Sequence, residues 1–145
     1  MASVYTLDAS VFLNAFNPAE PGHDDSEALV AWLQASAAPV IVPSLVLPEV
    51  AGAIARIRDD ERLAREFASG LADLPHVVLV PLDLSLAEQA VELAAIYRLR
   101  GADAVYAAVA RRFGAVLVTR DREQAERLSK VLVTRSPREA LQHEP

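Results

Sequence analysis

The sequence predicts a three-layer α/β/α sandwich around a central, mainly parallel, five-stranded sheet. Short apolar runs such as "PVIVP", "HVVLVPL" and "AVLVT" alternate with stretches of helical period. Continuous apolar strands, with no polar residue at every second place, are those buried on both faces under helices. At 145 residues, with 52% hydrophobic and 23% charged side chains, the chain suits one domain with a substantial core. No repeat, low-complexity tract or long linker divides it. Residues 1–145 are therefore expected to form a single domain, with a core over about 3–134 and a C-terminal tail over 135–145.

The elements follow in order. The first strand lies within residues 3–8, followed by a short helix at 10–16 and a turn containing "NPAEPGHDD". A helix runs from about Ser26 to Ala37, with Ala28, Leu29, Trp32 and Leu33 at helical spacing. "PVIVP" is a short strand bracketed by prolines. Ser44 is placed as the N-cap of a helix reaching about Ile57, with Pro48 early enough to be tolerated. A further helix spans about Asp60 to Leu74, and a strand covers His76 to Leu82. From Ser85 to Leu99 the chain is amphipathic, with Leu86, Ala90, Leu93, Ala94 and Tyr97 on one side. A helix at 103–112 is closed by Gly114. A strand at 115–119, a helix at about 122–129 and a strand at 131–134 complete the pattern.

Several classes are set aside by composition. There is no cysteine, so neither disulfides nor thiolate-bound zinc are expected. No basic segment precedes an apolar stretch at the start, and a cytoplasmic location is the expectation. The most apolar run, Ala38 to Ile57, carries three prolines and a glutamate, which argues against a membrane span. The net charge of −6 speaks against a passive nucleic-acid binder. Of the 14 basic residues, 13 are arginine and one is Lys130; arginine's planar fork suits phosphate and carboxylate partners. His23, His76 and His143 show no ligand spacing and read as surface or loop residues.

A parallel α/β sheet gathers its ligands beyond the carboxyl ends of its strands. Four acids lie near that edge. Asp8 ends the first strand in "TLDAS", and Glu49 stands in "PSLVLPEVAGAI". Asp103 opens the helix of "RGADAVYAAVA", and Asp121 follows the fourth strand in "VLVTRD". Capping explains some of them: Asp8, Asp103 and Asp121 can be N-caps, and "DREQ" fits a capping box with Gln124. It does not explain Glu49, whose neighbours Leu45, Val46, Leu47, Val50, Ala51 and Ile54 are apolar. Two carboxylates roughly 5 Å apart repel by about 3 kcal/mol at an effective dielectric near 20. A converging cluster therefore needs protons or a cation, and an all-oxygen site suits Mg²⁺ or Mn²⁺. Setting these four aside from the 20 acids leaves 16 against 14 basic residues, which weakens the charge objection to a nucleic-acid substrate.

The segments "LDASVFLN", "PSLVLPEVAGAI", "LRGADAVYAAVA" and "VLVTRDRE" resemble, in order, the four acidic motifs of PIN-domain nucleases. The "RGADAVYAA" form is most similar to VapC-type toxins of bacterial and archaeal toxin–antitoxin pairs. The resemblance covers residues 3–134 and implies a metal-dependent endoribonuclease. On it, Asp8, Glu49, Asp103 and Asp121 are the catalytic and metal-binding acids for Mg²⁺ or Mn²⁺. Ser10 and Thr119 fall on supporting hydroxyl positions. Glu123 falls where some members carry another acid, with a solvated helix face as its alternative. Arg98, Arg100, Arg120 and Arg122 flank the third and fourth acids and are candidates for holding RNA phosphates. Arg111 and Arg112 lie at the far end of their helix, where solvent or the helix dipole accounts for them. The resemblance also implies an RNA substrate, a homodimer and a cognate antitoxin crossing the 26–37, 44–57 and 60–74 helices.

Rival folds fare worse. A response-regulator receiver should present adjacent acids after strand one and a lysine after strand five, whereas Lys130 precedes that strand. A haloacid-dehalogenase phosphatase needs a second aspartate where this chain has Ser10. A housekeeping RNA-processing nuclease, or a non-catalytic PIN-like domain binding RNA or protein, remains open at this level.

Overall fold

The computed structural model of the protein describes residues 3–143. The apolar runs pair side by side as β1 (Tyr5–Leu7), β2 (Val40–Pro43), β3 (Val77–Val80), β4 (Val116–Val118) and β5 (Thr134–Arg135). Every pairing is parallel, and the strand order is β3-β2-β1-β4-β5. Tyr5 is in register with Val40 on one side and Val116 on the other. β1 and β4 are buried along their whole length, which is why their sequences do not alternate. β3, at the edge, exposes Val78.

The helices are α1 (Ala9–Phe16), α2 (His23–Ser36), α3 (Val46–Arg58), α4 (Glu61–Asp73), α5 (Leu84–Tyr97), α6 (Gly101–Phe113), α7 (Arg122–Leu128) and α8 (Pro137–His143). The chain steps from β1 to β2 to β3 towards one edge, then from β3 across to β4 and β5 at the other. Right-handed crossovers then place α1–α4 on one face of the sheet and α5–α7 on the opposite face. α6 lies across β2, β1 and β4, with Ala104, Ala107, Ala108, Val109 and Ala110 fully buried. Gly114 ends it in the left-handed conformation at φ 61°, a geometry glycine adopts without cost.

Several boundaries differ from expectation. The last strand, expected over 131–134, is Thr134–Arg135. The amides of Val131 and Leu132 both turn back to Leu128 O at 3.0 Å, so a turn occupies part of the apolar run. Residues 135–145 are expected to be a tail, but α8 lies there against α2 and β5. Pro137 follows Ser136, whose hydroxyl accepts from Glu139 N–H (3.1 Å) while the Glu139 carboxylate accepts from Ser136 N–H (3.0 Å). This is a capping box with proline at the first helical position. Ser44 does not cap α3: its N–H still belongs to the sheet, donating to Val80 O at 2.8 Å, and Leu45 takes the cap position without a side-chain bond. α6 begins at Gly101, so Asp103 lies inside the first turn and is not its N-cap.

α2 starts at His23, within the expected turn, and the His23 ring is only 12% exposed. Its Nδ1 lies 2.8 Å from Asn14 O. Trp32 packs edge-on against Tyr5, with ring centroids 6.3 Å apart, and so belongs to the core.

Candidate active site

The strand order reverses at β1: the chain leaves it towards β2, while β4 lies on its other side. In open parallel sheets the crevice beyond such a switch point is where ligands bind. Asp8 directly follows β1, and Asp121 comes three residues after β4. Glu49 stands in the first turn of α3 and Asp103 in the first turn of α6. All four acids line one open cleft of about 770 Å³, together with Ser10, Arg56, Arg100, Tyr106 and Arg120.

Each acid is held differently. Asp8 is buried and is the N-cap of α1, its Oδ1 accepting from Ser10 N–H at 2.6 Å. Its Oδ2 accepts from the Thr119 hydroxyl at 2.8 Å. Thr119 in turn accepts from Asp121 N–H at 3.1 Å and stands 3.0 Å from Gln124 Oε1. One hydroxyl therefore ties the ends of β1 and β4 together. Asp121 caps α7 through Gln124 N–H at 3.1 Å. The expected capping box is half formed, because the Gln124 side chain turns inward to Thr119 and the carbonyl of Asp103. Glu49 accepts from the Tyr106 hydroxyl at 2.6 Å. Asp103 accepts from Arg100 Nε at 3.0 Å, and Arg100 Nη2 reaches Asp121 Oδ2 at 3.4 Å.

Electrostatics follow from burial. Desolvation pushes the Asp8 carboxyl above its ordinary range, and the Asp103 charge adds to the rise. The Ser10 hydroxyl, the Thr119 hydroxyl and the Ser10 amide pull it back. Ser10 Oγ is itself buried and makes no well-formed hydrogen bond in the chain. Glu49 is also raised, first by burial and then by the charges of Asp8 and Asp103, against the Tyr106 bond that lowers it. Burial, the bond to Glu49 and its charge push the Tyr106 phenol far up, so it remains a proton donor. Arg100 is held more firmly protonated by its bond to Asp103 and the charges around it.

A family model described as PIN domain matches residues 5–130. The chain belongs to the PIN domain family. Among solved structures, the Mycobacterium tuberculosis VapC20, described as a sarcin-ricin loop cleaving toxin, superposes with a TM-score of 0.72 at 21% identity, covering 90% of this chain and 98% of that one. A toxin–antitoxin complex from Klebsiella pneumoniae gives 0.65 at 21%, covering 92% and 97%. PAE2754 from Pyrobaculum aerophilum gives 0.64 at 25%, covering 97% and 95%. At such identities the likeness speaks for the fold. No curated protein matches the sequence.

In this PIN domain the residues singled out by sequence divide into three groups. Asp8, Glu49, Asp103, Asp121, Ser10 and Arg100 line the cleft, and Thr119 lies buried beneath it. Arg120 also lines it, but its guanidinium is engaged by Glu20 and by Pro21 O. Arg98 and Glu123 line an adjoining groove, where Glu123 pairs with Arg127 and not with the acids. Arg122, exposed at the start of α7, lines neither. Sequence reasoning passed over Tyr106, Arg56 and the inward role of Gln124. Helical spacing carried a signal for two of them: Tyr106 is three residues from Asp103 on α6, and Arg56 is seven from Glu49 on α3.

Proposed function

We propose that this PIN domain is a divalent-metal-dependent endoribonuclease acting as the toxin of a toxin–antitoxin pair. The convergence of Asp8, Glu49, Asp103 and Asp121 on one cleft at the sheet's switch point carries the reading. Among the described residues no three acids or histidines already form a chelate, but the donor set fits a hard cation. It consists of carboxylate oxygens, with the charge of Asp103 raising Asp8 and the charges of Asp8 and Asp103 raising Glu49, beside the buried Ser10 hydroxyl. Asp8, Glu49, Asp103 and Asp121 would hold the ion, Mg²⁺ or Mn²⁺. When bound, it supplies Lewis acidity and neutralises charge on the scissile phosphate. The chain's own contribution is positioning: Thr119 and Ser10 fix Asp8, Tyr106 fixes Glu49, and Arg56 and Arg100 offer phosphate contacts on the cleft wall.

The reading extends to partners. An apolar groove of about 540 Å³ between α1, α2 and α4, lined by Phe12, Phe16, Val30, Phe67 and Leu74, is the seat for an antitoxin segment. Leu84 and Val91, 75% and 67% exposed and two turns apart on α5, are the face for a second copy. The double variant Leu84→Glu, Val91→Glu should be monomeric in light scattering where the wild type is dimeric. The catalytic test is to induce the wild type and Asp8→Asn in a host and map new RNA 5′ ends. New 5′-phosphate ends from the wild type alone are expected; equal patterns, or none from the wild type, overturn the nuclease reading.

A further inference from the structure

Arg100 is unlike the other arginines near the cleft. Its guanidinium bridges two of the four acids, Asp103 at 3.0 Å and Asp121 at 3.4 Å. Yet its side chain is 80% exposed, against 20% for Asp103 and 38% for Asp121. It lies over the carboxylates and is not built into the wall beneath them. The fold does not depend on this contact. The start of α6 uses only the Arg100 carbonyl, which accepts from Ala104 N–H at 2.9 Å, and its side chain caps nothing. Asp121 is anchored separately through Oδ1 on α7, leaving Oδ2 to Arg100. Arg120, by contrast, is tied down by Glu20 and Pro21, and Arg127 by Glu123 and the Arg98 carbonyl.

An exposed cation that makes the ion pairs of Asp103 and Asp121 found among the described residues is in the position of a stand-in. We propose that Arg100 is an internal competitor of the divalent ion: it neutralises Asp103 and Asp121 in the metal-free protein, gives them up when the ion binds, and is thereby released to hold an RNA phosphate. This rests on the nuclease reading above and adds a gate to it, since the phosphate contact becomes available only after the metal has loaded. Two effects share a sign. The ion must displace the guanidinium, and a positive charge left nearby repels it. Removing Arg100 therefore tightens metal binding. An arginine that merely braced its carboxylates for coordination would do the reverse, because its loss would leave the ligands disordered.

Exposed ion pairs are weak, so the competition is mild. Titration calorimetry of Mn²⁺ into the full chain without RNA should show Arg100→Gln binding roughly three- to tenfold tighter than the wild type, with Arg100→Lys between them. With Mn²⁺ saturating, Arg100→Gln should cleave a single-stranded RNA with KM raised about tenfold, the loss expected for one phosphate contact. Equal or weaker Mn²⁺ affinity in Arg100→Gln overturns the proposal. No Mn²⁺ binding by the wild type overturns it together with the metal-site reading. Tighter Mn²⁺ binding in a protein that cleaves no RNA supports the competition and overturns only the nuclease activity.

Discussion

The Asp8 carboxylate uses one oxygen to cap α1 and the other to receive the Thr119 hydroxyl, although the side chain is only 7% exposed. Cap and site were competing explanations for this residue in the sequence, and one geometry satisfies both. Asparagine keeps the cap while removing a carboxyl whose ionised form burial disfavours. In EDTA at pH 7, Asp8→Asn should therefore melt higher than the wild type, by about 3 °C for each 1 kcal/mol relieved in a chain of this size. Scanning fluorimetry checks this, and a lower melting point would show that the charge is not a burden to the fold. Tyr106→Phe removes the donor that fixes Glu49. It should cost about 1 kcal/mol in urea unfolding and roughly tenfold in cleavage rate, with the chain still folded. An unchanged rate would make Tyr106 a core residue alone.

At the scale of elements, the helices and central strands were legible because their signals are local: an apolar period, a cap, a terminal glycine. Asp60 and Asp83 cap α4 and α5 as short side chains before a helix do. The sheet edge was harder. β5 is two residues long and its pairing with β4 is a long-range choice, so the apolar "VLVT" outweighed a turn that only Leu128 could reveal. α8 was missed although "SPRE" spells a capping box, because a short polar segment near the chain's end carries little apolar period. The site divided in the same way. Its acids are isolated in apolar settings and stood out, whereas Tyr106 is hidden among other core residues until the fold aims it at Glu49. Ser136→Ala tests whether α8 is integral, since it removes a cap and frees Glu139. It should lower stability by about 1 kcal/mol, read in denaturant unfolding. No change would mark α8 as an appendage to α2.

For the whole molecule, the acidic cleft implies a dependence of stability on pH and on metal. Asp8 and Glu49 both lie above their ordinary values of 3.8 and 4.5 in the folded chain, chiefly through burial. A carboxyl raised on folding binds its proton more tightly in the native state. Its contribution to stability is complete below the ordinary value and is lost as the pH rises through the raised one. Glu139 works the other way: the Ser136 amide and hydroxyl lower it, so its contribution is present above its ordinary value and lost as the pH falls through the lowered one. Being almost fully exposed, it weighs little. In EDTA the melting temperature should therefore rise as the pH is lowered from neutrality towards the ordinary carboxyl range. On the proposed metal site, Mg²⁺ should reverse the balance by binding the ionised cluster. At ten times its Kd it should stabilise the chain at pH 7 by about 1.4 kcal/mol, and the gain should shrink towards pH 5 as protons compete for the same oxygens. Asp8→Asn should flatten both the metal-free slope and the Mg²⁺ gain. A metal-free melting temperature that falls steadily as the pH is lowered from neutrality, or a full Mg²⁺ gain in Asp8→Asn, would detach the cluster from the stability or the cation binding assigned to it.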